Sequence, residues 1–341
     1  MSYIKPIKNE VMNRKTFLSR MGFTALGGAA LFSAPLGFTG CASNRPNEQF
    51  FDISLAQWSL HKTFFGDTLE QGWEYFGNAL QNNPEDVLRG EEDPINFAKI
   101  ARQQFDIGAI EYVNTFYFDK AEDEAYLNKL KNVAENEGVE NVLIMVDAEG
   151  NLGDPDDAAR QTAVENHHKW VNMAKFLGCH SIRVNAASSG SYEDQMQRSA
   201  DGLRSLSEYA ATENINVVVE NHGGLSSNAE WLAGTIEMVD MTNCGTLPDF
   251  GNFTISENET YDNYEGVEEL MPYAKGVSAK TYAFDEDGSE STLDYPRLLQ
   301  IVKDAGYTGH IGIEYEGAEL SEAEGIMATK ELLMKVGADL S

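Results

Sequence analysis

Cysteine, positive charge and linker-like sequence are all scarce in this chain. Its 341 residues include three cysteines, Cys41, Cys179 and Cys244, and no CxxC pair. Zinc-ribbon and thioredoxin-like arrangements are thereby excluded. Cys179 and Cys244 each stand shortly before an apolar run and are expected to pack as small apolar side chains, not to form a disulfide or a metal site. Basic residues number 25 against 55 acidic ones, for a net charge of −30. Nucleic acid is excluded as a partner, because phosphate binding needs clustered Lys and Arg. No basic run marks a lipid-headgroup site either, and the acidity reads as a well-solvated surface. Low-complexity tracts and interdomain linkers are absent after residue 50.

What is present begins with an address. Lys5, Lys8, Arg14, Lys15 and Arg20 form a basic head, followed by an apolar, Gly- and Ala-rich stretch from Met21 to Thr39 and then Gly40-Cys41. This order predicts a signal peptide over residues 1–40. The small residues before Cys41 resemble a bacterial lipoprotein cleavage box, and Asn13-Arg14-Lys15-Thr16-Phe17-Leu18 resembles a twin-arginine signal with its second Arg replaced by Lys. The resemblance implies lipidation at Cys41, residues 41–50 as a tether, a periplasmic or membrane-anchored location, and contact with membrane only through the lipid. An uncleaved anchor is the competing reading, since nineteen residues just span a bilayer; four glycines and Pro35 speak against it. Without residues 1–40, 20 basic residues face 54 acidic ones, a net charge of −34.

From residue 51 onward, eight short apolar runs alternate with amphipathic stretches. The runs are Ile53–Trp58, Ile107–Val113, Asn141–Val146, Ser181–Asn185, Asn216–Glu220, Gly245–Asp249, Gly276–Lys280 and His310–Glu314. Helices are predicted from Asp93-Pro94 onward, then over Glu122–Asn136, Asp156–Phe176, Gln195–Glu213, Ser227–Met238, Glu268–Tyr273 and Tyr295–Ala305. Eight strands separated by helices predict a single α/β domain over 51–341, a (β/α)8 TIM barrel. The first connection is long, with an insertion from Leu60 to Glu92 that holds Trp73, Tyr75 and Phe76. It lies at the barrel mouth, where it either covers a substrate or decorates the surface.

In such a barrel, polar residues at the carboxyl ends of strands face the active site. Strand 5 ends Val219-Glu220-Asn221-His222-Gly223-Gly224, strand 6 Pro248-Asp249-Phe250-Gly251-Asn252, and strand 8 Ile313-Glu314-Tyr315-Glu316-Gly317. Three carboxylates therefore cap three strands at similar height. Either a divalent cation compensates them or Lys280 and Arg183 pair with them.

In this order and spacing, these three motifs resemble the sugar phosphate isomerase/epimerase group of xylose isomerase-like barrels, over nearly all of the chain after the signal. The resemblance implies one Mn²⁺ or Mg²⁺ held by Glu220, Asp249 and Glu314, with a His as fourth ligand from strand 7. Here Ser278 stands at that position and Lys280 follows two residues later. His222 is then either a substitute ligand or a neighbour, and Lys280 either weakens the metal or replaces its charge. By the same resemblance Glu220 and Glu314 are acid/base groups as well as ligands, and Asn252 contacts substrate hydroxyls. Glu111, Asn114, Arg183 and Asn185 are further candidate sugar contacts, and Trp58 either stacks on a sugar ring or packs in the core.

The implied chemistry is an isomerase or epimerase acting through an enediolate on a small, unphosphorylated carbohydrate. The same enolate chemistry on a 3-keto-glycoside makes a β-eliminating lyase, with Lys280 as proton donor. A catalytically silent sugar-binding lipoprotein is the third reading. An endonuclease IV-like role shares the fold and is excluded by charge and export. Assembly into a homo-oligomer is left open.

Overall fold

The computed structural model describes residues 49–341. The expected signal peptide and Cys41 lie outside the described residues. Within them, no helix is long and apolar enough to cross a membrane.

Eight parallel strands form the centre: β1 (Asp52–Ala56), β2 (Ala109–Val113), β3 (Glu140–Met145), β4 (Ser181–Val184), β5 (Asn216–Glu220), β6 (Cys244–Leu247), β7 (Val277–Thr281) and β8 (His310–Tyr315). All lie within two residues of the predicted runs. The ladder runs β6-β5-β4-β3-β2-β1-β8-β7. It closes between β6 and β7 through bridges at Thr246–Ala274 and Asp249–Ser278. Ser278 donates its N–H to the Pro248 carbonyl at 2.9 Å and accepts from Phe250 N at 3.1 Å. Pro248 has no N–H to offer, and here, past the end of β6, it acts only as an acceptor.

The strands are apolar on both faces because helices cover the outside while side chains fill the inside; Val217, Val218 and Val219 of β5 are all fully buried. The covering layer is α1 (Phe97–Phe105), α2 (Glu124–Glu137), α3 (Asp157–Leu177), α4 (Tyr192–Thr212), α5 (Ala229–Val239), α6 (Asn263–Leu270), α7 (Tyr295–Asp304) and α8 (Glu322–Leu340). Polar caps set most of their starts: Asp123, Asp156, Ser191, Asn228, Asp294 and Ser321 each accept a backbone N–H of the first turn. Pro94 opens a short 3-10 turn ahead of α1, with Asp93 accepting from Ile95 N at 2.9 Å.

Helix α6 departs from expectation, starting five residues before the predicted Glu268. Asp262 caps it through Tyr264 N and Glu265 N. Gly266 hides the helical pattern, and it is required there: a Cβ would approach the Phe253 ring to 2.2 Å. A two-stranded hairpin, Thr254–Ser256 with Glu259–Thr260, follows β6 and was not anticipated from the sequence. Cys179 and Cys244 are free and buried, and burial pushes both thiols up.

Candidate active site

The carboxyl-terminal rim of the barrel is laced by side chains that substitute for backbone pairing. Asn221, just past β5, accepts Asp249 N at 2.8 Å and donates to Asp249 O at 3.0 Å. Asn114, just past β2, does the same for Asp147, with both bonds at 2.9 Å. Gln57, just past β1, accepts Val113 N at 3.2 Å. Ser59 accepts Tyr315 N at 2.9 Å and donates to Ile313 O at 3.1 Å, straddling Glu314. Each clamp fixes the end of a neighbouring strand, which is where functional side chains stand.

Glu220, Asp249 and Glu314 meet in the space so defined. All three are buried, and one ligand oxygen from each lies within 4.8 Å of the others. Arg183 bonds Glu220 Oε2 through Nε and Asp147 Oδ1 through Nη1, the latter at 2.9 Å. Asn252 donates to Glu220 Oε1 at 2.8 Å. Asp249 Oδ1 accepts Gly251 N at 2.7 Å and Asn252 N at 2.9 Å, holding the turn after β6. On the β7 side, Ser278 Oγ lies 2.8 Å from Asp249 Oδ2 and 3.0 Å from Glu314 Oε2. Lys280 Nζ donates to Glu314 Oε1 at 2.7 Å, with Glu316 at 3.2 Å and Asp249 at 3.7 Å. Lys280 is 1 % exposed.

Electrostatics separates the three carboxyls. Burial pushes all of them up, but for Glu220 the Arg183 guanidinium, with further pull from His222 and Lys280, outweighs it and holds the group below its ordinary value. Asp249 rises to about 7, chiefly through burial. Glu314 also rises through burial, against the pull of Lys280. Burial alone would lower Lys280; Asp249, Glu314 and Glu316 hold it well above the usual lysine value. A serine hydroxyl has one proton to donate. Ser278 can therefore bond both Asp249 and Glu314 only while one of those carboxyls is protonated and donates in return.

The remaining predicted residues fall at different depths. Asn185 donates to Asp147 Oδ1 at 2.7 Å. His222 lies beyond the end of β5 and is exposed, and its ring is not part of the three-carboxylate group. Glu111 is buried among the side chains of β1, β2 and β8. It accepts Ser54 Oγ at 2.6 Å, its Oε2 has no hydrogen-bond partner among the described residues, and burial pushes it up to about 8. Gly312 makes room for it, since a Cβ there would lie 2.6 Å from Glu111 Oε1. Trp58 is half-buried beside His61 and Trp73.

Asp147, Asn221, Ser59 and Glu316 take part in this network and were given no role from the sequence. Asp147 follows the β3 run by one residue, and the rule that selected the three carboxylates selects it too.

Three carboxylate oxygens at this separation suit a hard divalent ion such as Mg²⁺ or Mn²⁺, and each retains lone-pair capacity beyond its protein hydrogen bonds. The fit is incomplete on the β7 side, where a hydroxyl and an ammonium face the triad.

Among curated proteins, the chain resembles a 3'-dehydrocarminate deglycosidase alpha subunit from Microbacterium sp., 44% identical over 48 residues. It also resembles a C-glycoside deglycosidase alpha subunit from Arthrobacter globiformis, 36% identical over 66 residues. These matches cover 14% and 18% of this chain, and the matched stretches span only 14% and 19% of those relatives. Among solved structures, a D-tagatose 3-epimerase-like protein superposes with a TM-score of 0.61 at 18% identity, over 85% of this chain and 100% of that one. A xylose isomerase-like TIM barrel protein from Mycobacterium smegmatis, in complex with magnesium, superposes at 0.58 and 14% identity, over 85% and 97%. At such identities the likeness speaks for the fold. The model of the xylose isomerase-like TIM barrel matches residues 97–335, from the start of α1 into α8. With its eight strands, closed rim and carboxylates on β5, β6 and β8, this chain belongs to the xylose isomerase-like TIM barrel family.

Proposed function

We propose that the protein is a lyase that releases the aglycone of a 3-keto-glycoside by β-elimination. The observation that carries this reading is the Lys280–Glu314 hydrogen bond, 2.7 Å, which sets a general acid beside a candidate base. A divalent ion held by Glu220, Asp249 and Glu314 would supply Lewis-acid polarisation of the sugar ketone. Glu314, whose carboxyl is raised by burial, removes the proton from the carbon between the ketone and the anomeric carbon. The electrons of that C–H bond form a C=C bond to the anomeric carbon as its bond to the aglycone breaks. The leaving electron pair takes a proton from Lys280. Glu314 then returns its proton to Lys280 along their shared hydrogen bond, which restores both groups. Arg183 keeps Glu220 ionised, and Asn252 fixes its second oxygen.

The two deglycosidase matches, though short, favour elimination over the alternatives. The second reading is epimerisation of a ketose, in which the ionised Glu220 removes a proton from one face and Glu314, whose raised carboxyl carries one, delivers its own proton to the opposite face; the closeness of Glu220 to Glu314 favours it. Residues 1–41 support an exported, lipid-anchored setting for either reaction. Incubation with 3-keto-glucosides and free ketoses in D2O with Mn²⁺, followed by NMR, tests both. Aglycone release with an enone product is expected. Deuterium incorporation without release establishes epimerisation, and neither outcome in a folded protein leaves a silent sugar-binding barrel.

A further inference from the structure

The insertion between β1 and α1 raises a large aromatic surface at the mouth of the barrel. Trp58 sits on the 3-10 turn Gln57–Leu60 directly after β1, and Trp73 opens a helix spanning Trp73–Asn82. Their rings stack with centroids 6.2 Å apart and planes at 17°. His61 stacks on Trp58 at 5.2 Å and 19°. Phe65 meets Trp58 edge-on, and Phe76 meets Trp73 edge-on. Despite these contacts, Trp73 remains 66% exposed.

The exposed Trp73 is not a scattered apolar group: it belongs to one contiguous aromatic cluster with Trp58, His61, Phe65 and Phe76, and contiguous apolar surface is what marks a binding site. Thr68 Oγ1 lies at hydrogen-bond distance from both Phe65 O (2.7 Å) and Val87 O (3.0 Å), closing the inserted segment on itself. Glu322, at the start of α8, accepts Lys62 N at 2.6 Å, Thr63 N at 3.0 Å and Thr63 Oγ1 at 2.7 Å. The turn that carries Trp58 is tied to β8 by Ser59, whose two hydrogen bonds flank Glu314. The aromatic surface is thus preorganised and joined to the strand end that carries the candidate base.

We propose that Trp58 and Trp73 form a stacking platform for a flat aromatic aglycone, held next to the sugar whose glycosidic bond is cleaved. This rests on the lyase reading for its place in the reaction, but not for the binding itself. The site around the three carboxylates is polar and charged, so the apolar rim suits the substituent. The inserted segment carries Asp67, Glu70, Glu74, Glu85, Asp86, Glu91 and Glu92 against only Lys62 and Arg89. Such a rim accepts neutral phenols and polyphenols and disfavours anionic rings.

Calorimetric titration of the mature protein with 1-naphthol, and with cyclohexanol as the saturated control, tests the platform without any turnover. Naphthol is expected to bind and cyclohexanol not. Trp73→Ala should weaken naphthol about fivefold while leaving the melting temperature unchanged, and Trp73→Phe should lose less. In turnover, Trp73→Ala should lower kcat/KM for an aryl 3-keto-glucoside about tenfold and leave the methyl 3-keto-glucoside unaffected. Naphthol binding indifferent to Trp73→Ala overturns the proposal, as does an equal fall for both glycosides. Trp73-dependent binding to phosphatidylcholine vesicles, without an effect on naphthol, overturns it in favour of a membrane contact. Cleavage of neither glycoside removes the lyase reading, while the naphthol titration still decides the platform.

Discussion

Lys280 Nζ and Glu314 Oε1 lie 2.7 Å apart at the mouth of the barrel, and neither side chain has appreciable access to water. One strand supplies the cation, its neighbour supplies the carboxylate, and Asp249 and Glu316 lie within 4 Å of the same ammonium.

Replacing that ammonium separates proton removal from aglycone release. Lys280→Met is expected to slow release by on the order of a hundredfold or more. Deuterium exchange at the carbon next to the ketone should persist, because Glu314 remains. Leaving buried carboxylates without their cation should also cost about 3–5 kcal/mol of stability, which a urea titration measures. Equal loss of exchange and release would assign Lys280 to orientation instead.

Ser278→His puts an imidazole where the β7 side now offers a hydroxyl. Mn²⁺ affinity, read by calorimetry, should rise by about tenfold. Asp249→Asn should abolish the ion's retention while the barrel still melts cooperatively. A Ser278→His variant that holds Mn²⁺ no better would show that this side of the triad is closed to the ion.

Glu111 gives a stability slope of predictable sign. Its carboxyl stands at about 8 in the folded chain against an ordinary 4.5. The folded state therefore binds the extra proton between those values. The stabilisation is complete below pH 4.5 and is lost as pH rises through 8, with a magnitude of up to roughly 5 kcal/mol. Glu111→Gln has no proton to release, so its stability should fall less than the natural protein's between about pH 5 and pH 8.5. Parallel stability curves would mean that Glu111 is already ionised at neutral pH.

Asn221→Ala removes both clamps on the Asp249 backbone. The N–H and carbonyl it leaves unpartnered are buried, and the expected cost is about 2–3 kcal/mol in denaturant unfolding. Activity should fall in kcat more than in KM, since the displaced carboxylate belongs to the reacting centre. A change in stability alone would reduce Asn221 to a structural role.

Cys41→Ala should leave the protein unprocessed or released from membranes, whereas the natural chain should carry lipid at Cys41. Mass spectrometry of the membrane fraction decides this, and a retained 1–40 segment would contradict it.

Much of this architecture was legible because apolar runs and carboxylates obey simple positional rules. Every barrel strand falls within two residues of its apolar run, and the carboxylates on β5, β6 and β8 follow from strand ends. The amide clamps were not legible. Asn114 read as a candidate sugar contact and Asn221 was given no role, and only the closed barrel brings each one beside the next strand's end. Helix α6 was misplaced because Gly266 lowers helical propensity for a reason, the Phe253 ring, that lies outside the local sequence. Asp147 obeys the same positional rule as the three carboxylates, but it stands one residue past its apolar run and outside the motifs on β5, β6 and β8.

The meeting of Glu111 with the bare backbone of Gly312 restricts the order in which this barrel can change. A Cβ at position 312 would come within 2.6 Å of the Glu111 carboxylate, so alanine there requires that side chain to move from its place or to be shortened. Introducing alanine first displaces a buried carboxylate from its Ser54 hydrogen bond, whereas shortening position 111 first opens the space. Divergence at these two strands, separated in the barrel by β1 and in the chain by most of its length, therefore has a favoured direction.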